Sequence, residues 1–289
     1  MRILTRLTVA LVGAAALSAC SEDASTSTAP IRRGAAISGI VAAVDKSADK
    51  EKGDATIVSA TGDIAAAVGR YRDLLGSPNP NVKGQQPGGR REINWDAVPA
   101  GFTNNDLFPG NFFNVNSPRG MVLSTPGTGF QVSASTSDAS GQPLYFGNID
   151  PSYSTTFTVF TPQRLFTPVG SNIYDVTFYI PGSTTPAAVN GFGAVLTDVD
   201  QANTTSVRLF DRNNAILGTY YAPVASGGLS FVGAFTNDGL ATIARARVTL
   251  GNAFLAPGVF DNNTSADLVV ADDLIYGEPT DRIFGDGFD

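Results

Sequence analysis

The chain has 289 residues, a net charge of −7, one cysteine and no histidine. The missing histidine excludes Ser-His-Asp and Cys-His catalysis, zincin motifs and most zinc sites. The acid excess repels phosphate backbones, which argues against a nucleic-acid partner.

Arg2 and Arg6 open the chain, Leu7 to Leu17 form a short apolar run, and small residues lead to Cys20. This is the layout of an export signal, and it is shorter than the roughly 20 apolar residues of a membrane span. The order Leu17-Ser18-Ala19-Cys20 resembles the lipobox of bacterial lipoproteins. That resemblance implies cleavage after residue 19, acylation of the Cys20 thiol and anchoring of the product to a membrane surface. Ser21, in place of an aspartate, implies sorting to the outer membrane of the cell envelope. Loss of Arg2 and Arg6 with the signal takes the net charge from −7 to −9, and an acylated Cys20 leaves no thiol for a disulfide or a nucleophile.

Residues 20–60 read as the acylated cysteine and a flexible tether, rich at first in Ser, Thr, Ala and Pro. Residues 61–75 read as an amphipathic helix: Ile64, Val68, Tyr71 and Leu75 share one face, and Thr61 or Asp63 can cap the start. Gly76 ends it and Pro78 and Pro80 forbid continuation. Residues 76–91 read as a linker.

From residue 92 to 279 the pattern is short strands separated by Gly, Pro and Asn turns. Tyr174, Val176, Phe178 and Ile180 alternate with more polar neighbours, as do Ala244, Ala246, Val248 and Leu250. Further strands are expected at 119–124, 129–134, 156–160, 190–197, 205–210, 215–221, 229–235 and 267–276, with a hairpin connection at 211–214. The prediction is a mainly β fold, an antiparallel, jelly-roll-like β-sandwich preceded by one amphipathic helix. Residues 280–289 read as a C-terminal tail.

Three aspartate groups are candidate calcium ligands, since hard cations take six to eight oxygens. Asp198 and Asp200 lie two apart at a strand end. Asp272 and Asp273 interrupt the apolar run from Leu268 to Tyr276, and Asp96 follows the first strand of the sandwich. Neighbours in a strand point to opposite faces, so at least one of Asp272 and Asp273 must approach the core and needs a partner there. The expected cofactor is a structural Ca²⁺. Trp95, Tyr220 and Tyr221 are candidate ligand-stacking rings, and the Phe112–Phe113 pair is a further one. Arg245 and Arg247 read as a solvated face.

Four blocks, residues 89–96, 112–120, 191–200 and 271–279, resemble a family of uncharacterised secreted bacterial proteins. The later part is similar to the β-sandwich domains of PEP-CTERM exported proteins, which look like carbohydrate-binding modules; the hydrophobic C-terminal anchor of those proteins has no counterpart here. The resemblance implies an exported sandwich. The expected role is non-catalytic binding of a glycan or another extracellular polymer. A structural or protein-interaction role in the envelope is the alternative, and an aspartate-based hydrolase the third.

Overall fold

The computed structural model describes residues 55–281 apart from 137, 139, 140 and 263. The signal segment, Cys20, the tether up to residue 54 and residues 282–289 of the tail lie outside the described residues. In chain order the elements are β1 (Ala55–Thr61), α1 (Ala65–Leu75), β2 (Arg90–Ile93), α2 (Phe112–Val115), β3 (Met121–Ser124), β4 (Gly129–Val132), α3 (Tyr153–Thr156), β5 (Phe166–Val169), β6 (Ile173–Phe178), β7 (Gly191–Val199), β8 (Ser206–Phe210), β9 (Ile216–Tyr221), β10 (Ala225–Thr236), β11 (Arg245–Thr249) and β12 (Val270–Gly277).

The fold is mainly β, as expected, and consists of two antiparallel sheets. One runs β1-β10-β7-β12-β5-β4, with β2 also paired to β12; the other runs β3-β6-β11-β8-β9. Seven and five strands make a larger sandwich than the eight strands of a simple jelly roll. The alternation read at 174–180 puts Tyr174, Val176 and Phe178 inward from β6, facing Phe192, Ala194 and Leu196 of β7 across one core. This burial of apolar surface stabilises the fold with no disulfide among the described residues.

Helix α1 adds a third layer. The predicted face is the buried face: Ile64, Val68, Tyr71 and Leu75 pack on Val58, Val195, Phe231 and Ile275, on the side of the larger sheet opposite the main core. Coverage on both sides explains why β7 and β12 are buried along their whole length. The helix starts at Ala65, whose N–H donates to Asp63 at 3.2 Å, and stops at Gly76, which has φ 94°. Close approach of helix to sheet depends on glycine: a Cβ on Gly193 or Gly233 would stand 2.9 Å from the Tyr71 ring. The Tyr71 hydroxyl donates to the Ala234 carbonyl at 3.0 Å.

The structure departs from the sequence reading at four places. Residues 55–61, read as tether, form the edge strand β1, paired along its length with β10. Residues 76–91, read as a linker, are tied to the sandwich: Asn79 and the Gln86 N–H both donate to Glu278, which also forms a fully buried ion pair with Arg91. The expected strand at 156–160 is the end of α3 and an irregular segment. Its N–H groups serve side chains of the sheet, Thr158 donating to Thr197 and Phe160 to Asp272, rather than a neighbouring strand. Phe112 and Phe113 lie on α2, and both rings are buried against Phe108 and, for Phe113, Trp95.

Candidate metal centre and binding groove

Both pairs of strand aspartates sit at interruptions of β pairing. Along β7 and β10 the register runs from Val199↔Ala225 to Thr197↔Leu229, so Ser226, Gly227 and Gly228 stand opposite Asp198 alone. A bulge of this kind re-aims the side chain beside it. Asp198 adopts φ 69° and Gly227 φ 63°, and the Gly227 N–H donates to Asp198 at 2.6 Å. Asp200 follows at the strand end, and Asp261 arrives from the loop before β12. Ligand oxygens of Asp198, Asp200 and Asp261 all lie within 4.8 Å of one another. Asp267, fully buried, holds the turn beneath them by accepting from the Asp200 and Gln201 N–H groups and the Thr204 hydroxyl.

The electrostatics show a site short of positive charge. Burial, followed by the hydrogen bond and charge of Asp198 and the charge of Asp200, pushes Asp261 up to about 8. Burial also raises Asp198. Both oxygens of Asp200 are inaccessible and no donor among the described residues reaches them, an arrangement that is costly for a carboxylate. The cluster can hold a metal ion. Its donors are all oxygen, the chemistry of a hard cation. Sequence reading found Asp198 and Asp200 and missed Asp261, which no local spacing links to them.

The second expected group does not assemble. Asp272 and Asp273 come together, but Asp96 does not join them as a third converging ligand; among the described residues only Asp198, Asp200 and Asp261 form such a group. Strand alternation, which would separate Asp272 from Asp273, fails because β12 bulges there against β7 between Ala271↔Leu196 and Leu274↔Ala194. The two carboxyls are 0% and 1% exposed and within hydrogen-bond reach of one another, so that a proton on one can bridge to the other. Thr161 reaches Asp273 at 2.7 Å and Asp272 at 3.2 Å, and the Phe160 N–H donates to Asp272. Burial and then the neighbouring charge push Asp272 up to about 9, and burial raises Asp273. The Arg72 guanidinium stands 3.6 Å from Asp273. Asp96 accepts the Arg164 N–H at 3.2 Å, and burial raises it to about 6.

Trp95 is not a ligand platform. It is 1% exposed, stacks on Phe166 with ring centroids 4.1 Å apart and donates its indole N–H to the Asp272 carbonyl at 2.5 Å. Tyr221, on the edge strand β9, is 49% exposed. Tyr220, half-buried, packs against the main core and lines a groove of about 820 Å³. This groove opens between the two sheets, with Leu209, Leu217, Phe235 and Ile243 in its walls and Asp211, Arg212, Asn213, Asn237 and Asp238 also lining it. Asp211 closes the 211–214 hairpin by accepting the Asn213 and Ala215 N–H groups. Arg245 and Arg247 both engage Asp175.

Among the described residues no helix is long and apolar enough to cross a membrane. Comparison with protein-family models, with curated proteins and with solved structures finds no match.

Proposed function

We propose that this chain is a lipid-anchored protein of the cell envelope whose β-sandwich binds a glycan or another extracellular polymer without catalysis. The observation that carries the reading is the groove lined by Tyr220. Its volume lies within the range of ligand sites, and it pairs apolar walls with a few polar groups able to orient hydroxyls. Acylated Cys20 would hold the sandwich at a membrane, outer membrane favoured, through the tether that precedes β1. The sealing of Asp272 and Asp273 from solvent supports a binding role over an aspartate-based hydrolase.

The ion of the Asp198, Asp200 and Asp261 cluster is Ca²⁺ in this reading. Calcium accepts six to eight oxygens in a flexible arrangement, which suits carboxylates supplied by a bulge, a strand end and a loop. Calcium would bind the bulge of β7, the strand end and the 252–266 loop to one another, with remaining positions taken by water or backbone carbonyls.

The test is a polysaccharide and glycan screen on the full chain, with calcium and with chelator, repeated on Tyr220→Ala. Binding that Tyr220→Ala abolishes supports the groove. Binding untouched by that change, or none at all, removes it. A structural role in the envelope is the second reading, favoured by the edge of β9, which pairs with no further described strand and where Ile216 and Tyr221 are 46% and 49% exposed. Self-association lost in Tyr221→Lys would support it.

A further inference from the structure

A second cavity lies where the 76–91 segment folds across α1 and β2. It measures about 320 Å³ and is lined by Arg72, Pro78, Asn79, Asn81, Arg90 and Glu92. Two guanidinium groups in one small cavity are unusual in a chain with an acid excess. Glu92 is the one anion in the wall, and it is already satisfied. Arg72 grips it through two nitrogens at 3.0 and 2.7 Å, and Arg90 adds a third bond at 2.5 Å.

These bonds leave donors over. Arg72 engages Glu92 through Nε and Nη2, so its Nη1 donates to no described group. Arg90 uses Nε on Glu92 and Nη1 on the Gly76 carbonyl, so its Nη2 is likewise unused. Asn81 is exposed on the rim, and its side-chain amide makes no hydrogen bond with a described residue. The cavity therefore offers several N–H donors and no free anionic acceptor. Two arginines and one glutamate give the lining one net positive charge, which Asp273, 3.6 Å from Arg72, lowers further, so the site favours a monoanion over a dianion. A carboxylate suits the two nitrogens left over, one from each guanidinium, since each of its two oxygens can accept a charge-assisted N–H···O bond.

We infer that the Arg72–Arg90 cavity is a binding site for a carboxylate, carried either by a single acidic sugar ring or by a small organic acid. The site is separate from the Tyr220 groove and does not depend on it. At about 320 Å³, near the lower limit for ligand sites, it takes one ring or less.

The experiment is calorimetric titration of the full chain, detergent-solubilised at pH 7, with sodium glucuronate, glucose, sodium acetate and inorganic phosphate. Glucuronate binds and glucose does not. Acetate binding as tightly as glucuronate identifies a small-acid site; weaker acetate identifies the sugar ring as part of the ligand. Asn81→Asp places an anion on the rim and weakens glucuronate at least tenfold, while Asn81→Lys strengthens it. Arg72→Gln abolishes it, but this variant also loosens Glu92, so the Asn81 pair decides the case without touching the packing. No response to glucuronate or acetate, a phosphate affinity above both, or indifference to both Asn81 changes would overturn the assignment.

Discussion

Replacing Asp272 by asparagine should flatten the dependence of stability on pH. In an unfolded chain the carboxyl titrates near its ordinary value of 3.8, whereas in the folded protein it titrates at about 9. Between those values the folded state holds a proton that the unfolded state has released, so stability falls as pH rises. One such proton gives a slope of about 1.4 kcal/mol per pH unit. From pH 5 to pH 7 the wild type should lose about 2.7 kcal/mol on this account. For a domain of this size that is roughly 5–11 °C in Tm. Asparagine keeps the geometry, with its carbonyl accepting the Phe160 N–H and its amide donating towards Asp273, and has no proton to lose. The assay is thermal unfolding of wild type and Asp272→Asn in chelator, at half-unit steps from pH 4.5 to 9. The two Tm curves should diverge, the wild type falling more steeply. Parallel curves would refute the shared-proton account, and a variant steeper than the wild type would reverse its sign.

The other predictions use the same unfolding assay. Calcium at 100 times its dissociation constant should add ~2.7 kcal/mol, and Asp200→Asn or Asp261→Asn should erase that gain; a gain that survives both changes places the ion elsewhere. Arg91→Met should cost about 3–5 kcal/mol by stranding Glu278 in the interior, and the double change with Glu278→Leu should recover much of it; no recovery would mean that the bonds of Glu278 to Asn79 and Gln86 matter more than its charge. Tyr71→Phe should cost about 1 kcal/mol by removing the hydroxyl's bond to the Ala234 carbonyl, without disturbing α1. Trp95→Phe should cost about 2–3 kcal/mol through the lost bond to the Asp272 carbonyl and the smaller ring. In the wild type the emission of this single tryptophan should resist acrylamide quenching until the protein unfolds.

Elements with an uninterrupted period were legible from residues alone. The helix face at Ile64, Val68, Tyr71 and Leu75 was visible because each turn repeats the same demand for burial. The alternation at 174–180 was visible for the same reason. The 211–214 hairpin was marked by its Asp and Asn residues, and Asp211 closes it through its own carboxylate. Strand β1 was hidden because it is an edge strand with little buried surface, and nothing in its composition names β10 as its partner. Trp95 was misplaced because sequence does not show that it adopts φ 62° and turns its ring back onto Phe166.

At Asp272 and Asp273 the structure departs from the sequence reading, at Asp198 and Asp200 it adds a third residue to it, and bulges explain both. Period-2 reasoning assigns each strand residue to a face, and a bulge resets that assignment from its own position onward. At Asp272 and Asp273 the reset brings together two carboxyls that alternation would hold apart, and a shared proton satisfies them where a cation was expected. At Asp198 the reset aims a carboxylate at Asp200 and at Asp261, a residue from a distant loop. The difference lies in what surrounds each pair. Thr161, the Phe160 N–H and Arg72 bond or flank Asp272 and Asp273. Asp273 Oδ2 alone lacks a hydrogen bond in that pair, and Arg72 stands 3.6 Å from it, whereas both oxygens of Asp200 meet no described donor. A buried pair with donors at three of its four oxygens and a guanidinium beside the fourth can settle its remaining charge with a proton, whereas three converging carboxylates, one of them without a described donor, call for a cation. Identical residue types two positions or one position apart therefore lead to different chemistry, and the surrounding donors, supplied by remote parts of the chain, decide which.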